Sequence, residues 1–166
     1  MKIHQLKRTQ RLNISLHDAW DFLSDPANLK TITPDYMGFD ILSGADRRMY
    51  AGQIITYTVR PLLGIPMTWV TEISQVEAPY YFVDEQRFGP YALWHHKHFL
   101  REVDGGVEMD DIVDYALPLD PLSRVMHPLM VAPKLEEIFD HRVAVLDAMF
   151  NQTTNQPNDT QLQQAV

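Results

Sequence analysis

His96 and His98 stand two residues apart in the run Trp94-His95-His96-Lys97-His98-Phe99-Leu100. On an extended chain that spacing turns both imidazoles to one side. Asp104-Gly105-Gly106 follows, and then the alternating run Val107-Glu108-Met109-Asp110-Asp111-Ile112-Val113-Asp114-Tyr115. Asp-Gly or Gly-Gly between two alternating runs predicts a β-hairpin, because the turn needs residues that accept positive φ. Closing the hairpin puts Trp94, His96, His98 and Leu100 on one face with Met109, Asp111, Val113, Tyr115 and Leu117. The other face takes Lys97, Arg101, Asp110 and Asp114 and reads as the solvent side. Two registers remain open. A Gly105-Gly106 loop sets Lys97 opposite Asp114, Arg101 opposite Asp110 and Asp111 opposite Leu100, whereas an Asp104-Gly105 loop sets Asp111 opposite His98.

Imidazoles, a carboxylate and a phenol on an apolar face can do several kinds of work. As the wall of a carrier or sensor, His96, His98, Asp111 and Tyr115 orient the polar end of a small hydrophobic or amphipathic molecule. As an enzyme of the cyclase, dehydratase or isomerase kind, His98 or His96 is the base, Asp111 orients it, and Tyr115 donates to a developing enolate. As a metal site, His96, His98 and Asp111 form a facial set, since His-x-His on a strand presents both rings together. In a closed core these groups, with Asp84, only satisfy one another. The carrier is the reading adopted, with no metal ion and no cofactor required; the enzyme is the alternative and a closed-core interaction protein the third.

Other stretches extend the inner wall. Phe82, Asp84 and Gln86 share a parity in the strand predicted from Tyr81 to Arg87 and are placed inward. Trp69 shares one with Met67, Thr71 and Ile73. After Pro133, Leu135, Ile138, Phe139, Arg142, Leu146, Met149 and Phe150 recur at helical steps, which predicts a long amphipathic helix facing the sheet. The expected ligand contacts are therefore Trp69, Asp84, Gln86, Trp94, His96, His98, Met109, Asp111, Val113, Tyr115, Phe139, Arg142 and Leu146. His95 reads as a surface residue, and His127 and His141 have no evident partners.

The remaining elements must hold these strands. Ile3 to Ile14 reads as an opening strand, Ser15 as the cap of a short helix from His17 to Leu23, and Pro26 as the start of a second short helix. Strands are predicted over Phe39–Leu42, Gln53–Val59 and Met67–Val76, and Pro128 argues that Leu122–Met130 is a separate helical piece. A sheet with one apolar face needs a cover, and the C-terminal helix is the element able to supply it. The order is α+β. Residues 151–166 form a polar, low-complexity tail to which disorder and no function are assigned.

The chain of 166 residues is 45% hydrophobic and 22% charged, one domain of ordinary globular composition. A net charge of −8 without basic runs argues against nucleic acid or anionic membrane as a partner. Without cysteine, thiolate ligands and disulfides are excluded. No apolar run reaches membrane-spanning length and the N-terminus lacks a signal-peptide core, so a cytoplasmic location is expected. A homodimer is compatible with everything above.

Several stretches together resemble the helix-grip superfamily of START, birch-pollen-allergen-like and polyketide cyclase/dehydrase proteins (SRPBCC). These are Phe22-Leu23-Ser24-Asp25-Pro26-Ala27-Asn28-Leu29 with Ile32-Thr33-Pro34 and Phe39, Gly64-Ile65-Pro66 with Trp69, and Gly89-Pro90-Tyr91 with Trp94, His96, His98 and Phe99. Met109, Asp111, Val113, Tyr115 and Pro118 continue the likeness, which is strongest to bacterial cyclase/dehydrase-like ligand-binding members. The resemblance spans residues 3–150 and implies about seven antiparallel strands curved around a long C-terminal helix, with two short helices after the first strand and a deep cavity. It implies no single reaction. The expected organisation is a ligand-binding domain over residues 1–150 and the tail beyond it.

Overall fold

A computed structural model describes residues 1–61, 64–118 and 125–152. The strands are β1 (His4–Leu12), β2 (Asp40–Ser43), β3 (Gln53–Val59), β4 (Met67–Glu77), β5 (Tyr81–Phe88), β6 (Leu93–Val103) and β7 (Gly106–Ala116). The helices are α1 (Leu16–Leu23) and α2 (Ala132–Phe150), with 3₁₀ turns at Pro26–Lys30 and Asp35–Met37. The sheet is antiparallel with the order β1-β7-β6-β5-β4-β3-β2, a meander closed by the first strand. Register shifts near Ile41 on β2 and around Val70 and Ile73 on β4 are the places where such a sheet bends.

Local chemistry explains the short helices. Ser15 Oγ accepts the Asp18 amide at 3.1 Å and caps α1, while the Asp18 carboxylate takes the Ser15 hydroxyl at 2.6 Å. Asp25 caps the next turn by accepting from the Ala27 amide at 2.9 Å, with Pro26 at its start.

The hairpin closes on Asp104-Gly105 rather than Gly105-Gly106. His98 lies opposite Asp111, Lys97 opposite Ile112 and Arg101 opposite Glu108. Lys97 still reaches Asp114, diagonally, at 2.6 Å. Gly105 takes the positive φ of 77°. Gly106 is glycine for another reason, since a Cβ there would lie 2.2 Å from the Leu12 carbonyl oxygen of β1. That constraint comes from a distant strand, so the local turn signal could not choose between the registers.

The long helix is tied to the β1 edge. Gln10 Nε2 donates to the Val143 carbonyl at 2.8 Å, Arg8 pairs with Asp140 and Glu136, and Asn151 Nδ2 donates to the Arg11 carbonyl at 2.8 Å. Leu135, Phe139, Arg142 and Leu146 form its buried stripe, while Met149, expected in that stripe, is exposed. Asn151, assigned to the tail by composition, also takes the Asn13 amide at 2.9 Å. The break expected at Pro128 is absent: a π turn over His127–Val131 absorbs the proline and runs into α2. Residues 119–124 of the predicted helical piece and 153–166 of the tail lie outside the described residues.

Candidate functional site

Strand register assembles a buried cluster from neighbouring strands. Asp84 on β5 lies opposite His96 on β6, and Asp111 on β7 lies opposite His98, so the two pairings are offset by two residues. Each ring consequently reaches both carboxylates, one directly across and one diagonally. His96 Nδ1 is 3.3 Å from Asp84 Oδ2 and its Nε2 is 3.2 Å from Asp111 Oδ1. His98 Nε2 is 2.9 Å from Asp84 Oδ2 and its Nδ1 is 2.7 Å from Asp111 Oδ1. This last contact is close but misaligned, and Nδ1 has no hydrogen-bond partner among the described residues. From α2, Arg142 Nη1 donates to Asp111 Oδ2 at 3.0 Å. Phe82 stacks on His98 at 4.1 Å between centroids, and Phe139 meets the His96 ring at 5.5 Å.

Burial opposes the charges of Asp84, His96 and Asp111 and is the largest single influence on each. Opposite charges in contact outweigh it. The charge of His96 and hydrogen bonds from both rings hold Asp84 below the usual carboxylate range. The Arg142 guanidinium, then His98 and His96, hold Asp111 well below it. Asp84 and Asp111 in turn raise His96 above the ordinary histidine value. Two carboxylates against one guanidinium leave one negative charge, which a further positive charge shared by the two rings would neutralise.

A cavity of about 170 Å³ lies against the cluster, between β3–β6 and α2. Its apolar wall includes Ile55, Tyr57 and Val59 of β3, Trp69 and Ile73 of β4, Trp94 of β6, and Leu135, Ile138 and Phe139 of α2. Phe22, Leu29, Ile32 and Met37 contribute from α1 and the turns after it. Asp84, His96, His98 and Arg142 form the polar part. The indole Nε1 of Trp69 is buried without a hydrogen-bond partner among the described residues.

Of the residues expected to line the cavity, Trp69, Asp84, Trp94, His96, His98, Phe139 and Arg142 do so. Met109, Asp111, Val113 and Leu146 are buried but lie off the wall, because α2 is tied down at β1 and its own side chains pack there, Leu146 in one core cluster with Met109, and Leu135 and Phe139 in another with Val113. Asp111 reaches the cavity only through the histidines it touches. Gln86 is turned to the Gly89-Pro90-Tyr91 segment: its Nε2 donates to the Tyr91 carbonyl at 2.7 Å and its Oε1 accepts the Tyr91 amide at 3.1 Å. Tyr115 is also off the wall, its hydroxyl 2.8 Å from His127 Nε2. His127 thus has the partner that sequence did not reveal, and it stacks on His4 with centroids 3.5 Å apart. His95 is on the outer face beside Glu85, as its parity implies.

Sequence reasoning missed the β3 wall and Tyr91. The alternation of Ile55, Tyr57 and Val59 carries the signal, but only pairing with Trp69 and Thr71 turns it toward the site. The metal-ligating set also differs from the expected one, since Asp84, His96 and His98 offer donor atoms all within 4.8 Å of one another.

No family model matches the sequence, and no curated protein does. Solved structures with low identity do match. The di-domain ARO/CYC BexL from the BE-7585A biosynthetic pathway aligns with TM-score 0.69 at 15% identity, over 91% of this chain and 51% of that one. TTHA0849 from Thermus thermophilus aligns with TM-score 0.67 at 13% identity, over 87% and 95% of the two chains. Ara h 8.0201 aligns with TM-score 0.58 at 16% identity, over 89% and 99%. No helix among the described residues is long and apolar enough to cross a membrane. A seven-stranded antiparallel sheet closed by a long C-terminal helix, matched over nearly the whole length of TTHA0849 and Ara h 8.0201, is the helix-grip fold.

Proposed function

We propose that the protein binds a small, largely apolar molecule carrying one polar group, held in the cavity between sheet and C-terminal helix. The observation that carries this reading is the cavity's composition: an apolar wall that includes Trp69, interrupted by Asp84, His96, His98 and Arg142. A solid core gains nothing from polar groups on an open wall, whereas the polar group of a ligand would engage them. The size favours a ring-sized guest, since about 170 Å³ is below the roughly 300–1,000 Å³ of drug-sized sites. Burying about 150 Å² of ligand at about 25 cal/mol per Å² contributes about 4 kcal/mol, roughly millimolar affinity. Tighter binding must therefore come from the polar wall.

Native mass spectrometry of gently purified protein, followed by denaturing extraction, tests the proposal. A released ring-sized molecule is expected, with Trp69→Ala weakening its binding several-fold because part of the apolar wall is lost. Equal affinity in wild type and variant would remove the role given to this wall. A second reading, proton-transfer catalysis of the cyclase or dehydratase kind, draws on the two imidazoles in the cavity wall. In that version Asp84 and Asp111 orient the rings, and Tyr115 takes no part because its hydroxyl is engaged by His127. Recovery of the ligand chemically unchanged after prolonged incubation favours the carrier; a new product, lost in His98→Gln, favours the enzyme.

A further inference from the structure

The geometry points to a divalent transition-metal site formed by Asp84, His96 and His98, with its open positions turned to the cavity. Two edges of the donor triangle are 3.3 Å, from Asp84 Oδ2 to His96 Nδ1, and 2.9 Å, from the same oxygen to His98 Nε2. Donors about 2.1 Å from a shared ion stand about 3.0 Å apart at right angles and about 3.4 Å apart at the tetrahedral angle. Both edges suit a common ion, and the whole donor set, the pair of ring nitrogens included, lies within 4.8 Å.

The other two ring nitrogens strengthen the case. His96 Nε2 and His98 Nδ1 are the ring nitrogens beside Asp111 Oδ1, at 3.2 and 2.7 Å, the first aligned for a hydrogen bond and the second needing a small ring rotation to align, and Asp111 is itself held by Arg142. Metal-bound histidines generally give their second N–H to a carboxylate, which fixes tautomer and ring angle. A neutral imidazole has only one N–H. If it faces Asp111, the lone pairs of His96 Nδ1 and His98 Nε2 converge with the Asp84 oxygen, and a cation between them removes the repulsion. The ion belongs on the Asp84 side for two reasons. Arg142 places a positive charge beside Asp111, and Asp84, unlike Asp111, lines the cavity. Two imidazoles and one carboxylate suit zinc, iron(II), cobalt(II) or nickel(II) better than calcium or magnesium. Three protein ligands leave room for water or a ligand oxygen.

The test uses the full chain without a histidine tag, freed of metal by chelation and kept free of any organic ligand, so that its outcome is separate from cavity binding. Cobalt(II) is titrated by visible absorption and zinc by calorimetry. One ion per chain is expected, with an intense spectrum of reduced coordination number and affinity at least tenfold weaker in Asp84→Asn and in His98→Gln. A double variant, His4→Gln with His127→Gln, should bind like wild type. Circular dichroism of each metal-free variant reports folding, and the wild-type cobalt spectrum stands without them. A spectrum no different from that of the aqueous ion, a stoichiometry far below one, or uptake abolished by the His4 and His127 changes instead would overturn the assignment.

Discussion

The most exacting contact in the molecule is the ion pair between Asp111 and Arg142, 1% and 8% exposed respectively. Both charges have left water, so the pair stabilises the fold far less than its short distance suggests, yet breaking it from one side is costly. Arg142→Ala should destabilise the protein by about 3–5 kcal/mol, because it strands a carboxylate beside two rings. Arg142→Met combined with Asp111→Leu should cost clearly less than the sum of the single changes. Urea unfolding of the four proteins of this cycle supplies the comparison, and additive losses would mean that the two side chains do not act as a unit. Legibility at this scale was uneven. Period-two alternation put His96, His98 and Asp111 on one face, and parity put Asp84 there too. What parity could not convey is the offset of register that lets each ring touch both carboxylates.

Elements are read from periodicity, whereas what covers them is decided elsewhere in the chain. Met109 and Val113 were legible as inward residues, but only the anchoring of α2 along β1 determines that helix, rather than open space, lies over them. The two turn glycines show the same division. Gly105 follows from its local φ of 77°, while Gly106 follows from the approach of Leu12 on another strand. Gly106→Ala should therefore cost about 1–3 kcal/mol in chemical unfolding, because the new methyl meets backbone that cannot swing aside. A neutral result would show that β1 can yield there. At the other end of β1, His4 stacks on His127, the first residue of the π turn that leads into α2. Burial lowers both histidines below their ordinary value of 6.5, with Lys2 opposing the charge on each and His4 also opposing it on His127. A histidine whose folded pKa lies below its unfolded one contributes stability in full above that unfolded value and loses it as pH falls toward the folded one. Proton NMR should give midpoints below 6.5 for both rings. Amide exchange over residues 127–131, corrected for its intrinsic rate, should quicken between about pH 7 and 5, and His4→Phe should raise the His127 midpoint. Midpoints above the ordinary histidine value would contradict this account of the junction.

At the scale of the whole molecule, the cavity is a cost that the rest of the fold must offset. At about 24 cal/mol per Å³, some 170 Å³ of unfilled interior corresponds to about 4 kcal/mol, a large part of the roughly 5–15 kcal/mol that holds a typical domain together. The helix-grip arrangement produces that space because α2 is fastened at the β1 edge and the bent sheet falls away from it toward β3. Filling the space should therefore stabilise the protein and end its capacity for a guest. Ile73→Phe and Ile55→Phe each extend an aromatic ring from the apolar wall, Ile73 from the position opposite Asp84 and Ile55 from β3 on the far side of β4. Each should raise the unfolding free energy of the ligand-free protein by about 0.5–2 kcal/mol while weakening binding of a neutral naphthalene-type fluorescent probe at least tenfold. The two effects must appear together. Stability gained with probe affinity unchanged would locate the guest elsewhere, and affinity lost through global destabilisation would show that the wall is packed too tightly to be a cavity at all. Two variants from different strands guard against one unfavourable rotamer, so agreement between them ties the empty volume to the binding site.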